Sequence, residues 1–197
     1  TLNMLGSGII MLPAKIASVG GIGLLLVMLL GSLQSCSSMF GGGVSNIMAS
    51  SYLSEDSDML VAEEAYCAKE NELREYLDTY EATHDYDEYH FDLDEIEHDP
   101  YVLVSILSAL HEGVFTIDQV QGDLQTLFDK QYILTETVTT ETRYRTETRT
   151  DSEGNTYTVR VPYTWTICTV TLENYDLSHV PVYMMGEEQL SLYATYM

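Results

Sequence analysis

The chain has 197 residues and sets 31 acidic against 8 basic side chains, a net charge of -23. So negative a surface is repelled by nucleic acid and by anionic lipid, which excludes direct nucleic-acid binding, and a hydrophobic content of 45% excludes global disorder. Three cysteines do not make a disulfide framework.

The run 16–33, IASVGGIGLLLVMLLGSL, carries no charge. About twenty apolar residues cross the hydrocarbon core of a bilayer. Gly20, Gly21 and Gly23 weaken a helix in water but are tolerated in membranes, so residues 1–34 read as a transmembrane segment. Lys15 is the single charged side chain before Glu55. The positive-inside rule then places the N-terminus in the cytoplasm and the rest outside, giving a single-pass protein of the cell membrane. A cleavable signal peptide is the rival reading, and Leu33-Gln34-Ser35-Cys36 faintly resembles a lipoprotein cleavage site. Residues 35–54 are small and glycine-rich, a linker. The acidic remainder, 55–197, suits partners that are basic proteins or metal ions.

SEDSD supplies capping oxygens and first-turn acids for a helix. Met59, Ala62, Tyr66, Leu73, Tyr76 and Tyr80 recur at three- and four-residue steps, so this helix runs to about Tyr80 with its acids facing water. The stretch 84–99, HDYDEYHFDLDEIEHD, reads as a solvated acidic turn. Counted from Asp85 or Asp87 it lacks the glycine and glutamate of a calcium loop, and His84, His90 and His98 have no standard zinc spacing. Asp99-Pro100 opens a second helix. Its Val102, Leu103, Val104, Ile106, Leu107 and Leu110 are too dense for one stripe, which makes it central, and Gly113 ends it. Thr116 caps a third helix carrying Ile117, Val120, Leu124, Leu127 and Phe128. The short loop predicts that the second and third helices form a hairpin.

A threonine-rich ribbon follows and holds half of the basic residues: Arg143, Arg145, Arg149 and Arg160. Even positions of its first strand (Leu134, Val138, Tyr144) and odd positions of its second (Tyr157, Val159, Val161, Tyr163, Trp165, Ile167) form the apolar sets. Because partners share a face, the pattern predicts Tyr144 opposite Tyr163, Thr142 opposite Trp165 and Glu147 opposite Arg160, with Glu153-Gly154 at the tip. The arginines then line a wet face with Glu141 and Glu147, and the aromatics pack inward. GEEQLSLYATYM forms a last short helix.

Reactive chemistry is sparse. Cys67 on a helix and Cys168 on a strand have no glycine-rich turn to expose a thiolate, and a bridge between them stays open. His111-Glu112-Gly113 lacks the second histidine of a metalloprotease helix. There is no G-x-S-x-G, phosphate loop or dinucleotide fingerprint. Paired glycosidase carboxylates are a matter of separation that sequence does not measure. The reading therefore assigns no catalytic, cofactor-binding or metal-binding residue, no cofactor, and no enzyme activity within this chain.

Three runs carry a resemblance: SYLSEDSDMLVAEEAY, YDEYHFDLDEIEHDPYVLVSILSAL and RYRTETRTDSEGNTYTV. Over 31–197 the chain resembles the N-terminal part of membrane-anchored cell-wall hydrolases encoded by integrative conjugative elements of Gram-positive bacteria. The resemblance implies a basic cytoplasmic tail, one membrane helix, this acidic region, and a following NlpC-type, CHAP or lysozyme-like module that cuts peptidoglycan. This chain holds no Asp-Cys-Ser-Gly nucleophile motif, so no family catalytic residue falls on it. The role implied is to anchor and position a hydrolase that opens the wall for type IV secretion-like DNA transfer, with the membrane, the cell wall through the following module, and other conjugation proteins as partners. The alternatives are a scaffold subunit of the conjugation channel without a hydrolase, and a self-contained muramidase. The expected fold is α+β: one transmembrane helix, then an extracytoplasmic domain of three to four helices and a long antiparallel β-hairpin.

Overall fold

The computed structural model describes residues 52–197 and the backbone of Met4–Ile9; the apolar run 16–33 and linker residues 35–51 lie outside the described residues. Among the described residues no helix is long and apolar enough to cross a membrane. The fold is mixed α+β. The stretch 55–197, read from sequence as one domain, is shared between two compact units, one helical (52–78, Asp94–Ile133, Glu173–Met197) and one built on a sheet (Thr79–Leu93, Leu134–Leu172).

In the helical unit, α1 (Asp56–Asp78) starts where the acids of its first turn complement the helix dipole. Its buried stripe holds Met59, Ala62, Tyr66 and Leu73 as the spacing predicts, with Leu77 buried in the place expected of Tyr76, which is half-buried. The expectation that its acids all face water is wrong at two positions, because Glu63 and Glu70 are 5% and 1% exposed. They sit on the stripe and have buried partners, described below.

Farther along the same unit, α3 (Pro100–Leu110) begins with proline in the tolerated first turn, and the Asp99 carboxylate accepts the Tyr101 N–H at 2.8 Å. Val102, Leu103, Val104, Ile106, Leu107 and Ala109 are buried, so the helix is central as its density predicts. Gly113 ends the turn after it with φ 108 and donates its N–H to the Ser108 carbonyl at 2.7 Å, the left-handed closure that glycine allows. At the start of α4 (Ile117–Gln131), the Gln119 side chain accepts the Thr116 N–H at 2.9 Å.

The predicted hairpin of these two helices is not their main packing. Instead α4 lays its single stripe (Val120, Leu124, Leu127, Phe128) on α1, and α3 packs mostly on α5 (Glu187–Tyr196). A helix apolar all round needs cover on several sides, whereas α4 needs one partner. A 3-10 helix, Leu177–Tyr183, precedes α5 and contains Pro181, and the Asp176 carboxylate caps it by accepting the Ser178 N–H at 2.9 Å.

The sheet unit opens with one helical turn, α2 (Tyr80–Thr83). Its sheet is three-stranded, β3 (Tyr132–Thr150), β4 (Thr156–Asn174) and β2 (Glu88–Leu93), with the backbone of Met4–Ile9 (β1) lying antiparallel on the outer edge of β3. The stretch expected to be a solvated turn thus contains β2, which runs parallel to β4 from Glu88 beside Ile167 to Leu93 beside Leu172. Its alternation of Tyr89, Phe91 and Leu93 with Glu88, His90 and Asp92 is strand periodicity hidden among acids. Leu134, Cys168, Val170 and Leu172 bury the base of the β3–β4 ribbon.

The predicted ribbon register is off by one residue. Asp151 donates its N–H to the Asn155 carbonyl at 2.9 Å, and Gly154 takes φ 88. The connection is therefore Ser152-Glu153-Gly154 with a left-handed third residue, not a two-residue tip. One extra loop residue moves every partner to the other parity. Arginines and aromatics consequently share faces: Arg143 lies 4.1 Å over the Trp165 ring and Arg160 4.7 Å over Tyr144. The aromatics do not pack inward, and Tyr144 is 56% exposed.

Candidate functional site

Within the helical unit, α1 presents Glu63, Cys67 and Glu70 on one side, since steps of four and three return to the same face. Opposite them, the segment leading into α3 brings His98, fixed in place by the Asp99 cap that follows it. His98 Nε2 lies 3.0 Å from Glu63 Oε2, and Nδ1 lies 2.9 Å from Glu70 Oε1, with 2% of the histidine side chain exposed. Cys67 Sγ is 3.4 Å from the other Glu63 oxygen. Glu70 also accepts the Tyr132 hydroxyl at 2.6 Å and pairs with Arg74 at 3.5 Å. The Tyr66 ring stands edge-on to His98 at 4.6 Å while its hydroxyl donates to Gln131 Oε1 at 2.8 Å.

Burying a lone charge costs several kcal/mol, so the balance of these groups matters. Burial pulls the His98 imidazole down, but the hydrogen bonds and charges of Glu63 and Glu70 outweigh it and hold the ring up at about 9. At neutral pH both ring nitrogens then carry protons and donate to carboxylates. Burial pushes the Glu70 carboxyl up, yet His98, the Tyr132 hydroxyl and Arg74 together keep it below the usual range. Burial, then the neighbouring glutamates, raise Tyr66 and Tyr132 far above the ordinary tyrosine value, which leaves them neutral donors. Two carboxylates, one imidazolium and one guanidinium sum to zero charge. With both ring nitrogens engaged, His98 is not poised as a general base. Chemically, the cluster offers carboxylate, thiol and imidazole donors converging within 4.8 Å, from Glu63, Cys67 and His98. His98 also lines an open, acidic groove with Asp94, Glu97, Asp99 and Tyr101.

In the sheet unit a second, half-buried network surrounds Glu136. Tyr80 donates to one carboxylate oxygen at 2.6 Å and Tyr86 to the other at 2.7 Å. The Glu136 hydrogen bond, with some burial, pushes Tyr86 up to about 12. Cys168 Sγ lies 3.6 Å from the Tyr80 hydroxyl, and burial pushes this thiol up from its ordinary value, which disfavours the thiolate a nucleophile needs. On the ribbon, Trp165 Nε1 donates to Glu88 Oε2 at 3.0 Å, and Arg143 donates to the same oxygen at 3.0 Å and to Glu141. These contacts, Trp165 first, hold the Glu88 carboxyl below its usual range. Arg145 and Arg149 share Glu147 at 2.8 and 3.5 Å.

The histidines singled out in the sequence find separate surroundings. His84 stacks on Tyr80 with ring centroids 3.9 Å apart, His90 lies 3.1 Å from Glu88, and His98 enters the α1 cluster. His111 pairs with Asp123 at 2.8 Å, a surface contact rather than a metalloprotease start. Cys67 and Cys168 are both buried and no disulfide links them. Glu63 and Glu70 were not singled out, although their signal was present: two glutamates seven apart on the apolar stripe of α1. Comparison with known proteins found no matching family model, no matching curated protein and no matching solved structure.

Proposed function

We propose that the chain is the non-catalytic anchoring and positioning region of a conjugative-element peptidoglycan hydrolase, tethered by one membrane helix over 16–33, with its acidic units outside the cell and a catalytic module following them. The observation that carries this reading is the ribbon. The run 143–159, the most specific part of the resemblance, is a two-stranded element whose side chains hold one another by stacking and ion pairs. It leaves Tyr144 and Tyr157 56% and 49% exposed, the make-up of a contact arm rather than of a reaction centre. The surroundings of the two cysteines favour the same view, since both are buried on regular elements. The paired carboxylates Glu63 and Glu70 do not favour a muramidase, because one imidazole fills the space between them.

The topology is tested with a single engineered cysteine at Ser152, on the ribbon loop, in wall-stripped cells expressing the chain with its native cysteines changed to serine. An impermeant maleimide labels it without lysis if the units lie outside; labelling only after lysis reverses the orientation. A single crossing also separates Met4–Ile9 from β3, so the antiparallel pairing of these strands and the proposed topology exclude one another. A cysteine at Ser7 decides between them: protection in intact cells supports the crossing, and labelling alongside position 152 supports the paired strand. The purified chain should release no material from cell walls. Release that disappears in Cys67→Ala or Cys168→Ala would show that a catalytic thiol resides here.

A further inference from the structure

We infer that Glu63, Cys67 and His98 form a zinc site, with Glu70 as the group that orients the histidine. The inference is independent of the wall-anchoring role and rests on how the buried donors are arranged. Tetrahedral zinc takes sulfur at about 2.3 Å, imidazole nitrogen at about 2.0 Å and carboxylate oxygen at about 2.0–2.2 Å, which sets donor atoms roughly 3.3–3.7 Å apart. Here Cys67 Sγ is 3.4 Å from Glu63 Oε1, within that range, and His98 Nε2 is 3.0 Å from the other oxygen, Oε2, a hydrogen-bond spacing that must open by a few tenths of an ångström to admit a metal. One donor atom from each of the three residues falls within 4.8 Å of the others. Glu63 and Cys67 lie one helical turn apart on α1, so a rigid element holds two ligands. The third comes from the opposite side, as an enclosing site requires.

The surrounding contacts match what zinc histidines need. A ligating histidine characteristically passes its other ring N–H to a carboxylate, which fixes the tautomer and the ring plane. His98 Nδ1 does so to Glu70 at 2.9 Å, and Glu70 is itself held by the Tyr132 hydroxyl at 2.6 Å and by Arg74. The donor set also selects the ion. One thiolate with one imidazole and one carboxylate suits zinc, whereas calcium and magnesium take oxygen alone. Cys67 binds as the thiolate and His98 through a deprotonated Nε2 while Nδ1 keeps its proton on Glu70, so two protons leave as the metal enters. Three protein ligands leave the fourth position to water, and His98 lines the acidic groove of Asp94, Glu97, Asp99 and Tyr101, which would draw a cation toward it. The sequence spacing conceals all this, because Cys67 and His98 are 31 positions apart and the third ligand is a glutamate among many.

Cobalt(II) tests the site, since tetrahedral cobalt bound by a thiolate shows visible d–d bands and a near-ultraviolet sulfur-to-metal charge-transfer band. The full chain, purified in detergent, is stripped with chelator and carries Cys36→Ser and Cys168→Ser, which leaves Cys67 as its one cysteine. Titration with cobalt alone should give both bands with one equivalent bound, and added zinc should abolish them. Cys67→Ser should remove the charge-transfer band. Glu70→Gln should keep both bands but weaken cobalt binding by about 10–100-fold. Exposed His90→Gln should change nothing. Absence of the charge-transfer band in the chain that retains Cys67 overturns the site, whatever the variants do. So does a band that persists in Cys67→Ser, or one that responds to His90→Gln and not to Glu70→Gln.

Discussion

The α1–His98 cluster and the β3–β4 ribbon use the same chemistry, glutamates paired with cations beside aromatic rings, in opposite surroundings. In the helical unit the carboxylates and the imidazole are nearly fully buried: His98 and Glu70 expose 2% and 1% of their side chains. On the ribbon Arg143 exposes 37%, and its partner Glu88 on the neighbouring β2 exposes 36%. Solvent screens the second set and not the first, so a pair that looks alike in geometry differs in consequence. Removing one partner of a buried pair strands a charge that water cannot reach. Removing one partner on the ribbon returns the other to solvent, where such pairs contribute little.

The comparison breaks most sharply at His98. In metal-free protein, His98→Ala leaves Glu63 and Glu70 facing each other in the interior, and chemical denaturation should show a loss of about 3–5 kcal/mol. A loss comparable to that of a surface substitution would show that the cluster is wet. Next comes a purely steric contrast between two glycines with positive φ. Gly113→Ala meets the Tyr196 hydroxyl at 3.2 Å and Leu53 at 3.3 Å with φ 108, whereas Gly154→Ala at φ 88 meets nothing within 4 Å. Backbone strain of roughly 1–3 kcal/mol applies to both, and Gly113→Ala should lower the melting midpoint further because its neighbours must also give way.

On the ribbon the expected effects are smaller. Trp165→Ala and Arg143→Ala should each shift the midpoint by a small fraction of the His98→Ala shift. A double-mutant cycle should nonetheless give a favourable coupling, because the guanidinium stacks on the indole. Additivity of the two changes would mean that the stacking contributes nothing in solution. The smallest expected effect is acid-dependent. Asp87 Oδ2 accepts the Thr166 N–H and hydroxyl, both at 2.7 Å, and these bonds hold its carboxyl below the usual range. A carboxyl lowered on folding contributes stability above its unfolded value of about 3.9 and loses it as pH falls through the folded value. Acid unfolding of Asp87→Asn should therefore be shallower below about pH 4 than that of the unchanged chain. Identical acid profiles would show that the bonds do not persist.

Helices were the legible part of the sequence, because apolar spacing and caps are local. The dense run 102–107 is central, and Thr116 and Asp99 sit where helices start. What stayed hidden depended on distance along the chain or on one residue of loop. β2 is hidden because its acids mask a period of two, and its partner on β4 lies some eighty positions away. The ribbon register turned on whether the loop has two residues or three, which the run DSEGN leaves undecided until Asp151 is seen to close on Asn155. The α1 cluster was obscured by composition: in a chain with 31 acids, two glutamates on an apolar stripe look like noise. Only the arrival of His98 gives them meaning.

The ribbon's third-strand cover is partial. β1 reaches along β3 only as far as Thr139, and β2 borders β4 only from Ile167 onward, so among the described residues the stretch between is a pair of strands with no third strand on either edge. Each such edge turns every other residue's backbone N–H and C=O outward, where another extended chain can pair. The guard against that is electrostatic: Arg143, Arg145 and Arg149 are interspersed with Glu141 and Glu147 along β3, so a copy sliding on with arginine beside arginine meets like charge. Such a guard weakens with ionic strength, as the screening length falls from about 10 Å at 0.1 M salt to about 3 Å at 1 M. Concentrated brine, more than heat, is the condition under which this protein should begin to form fibrils.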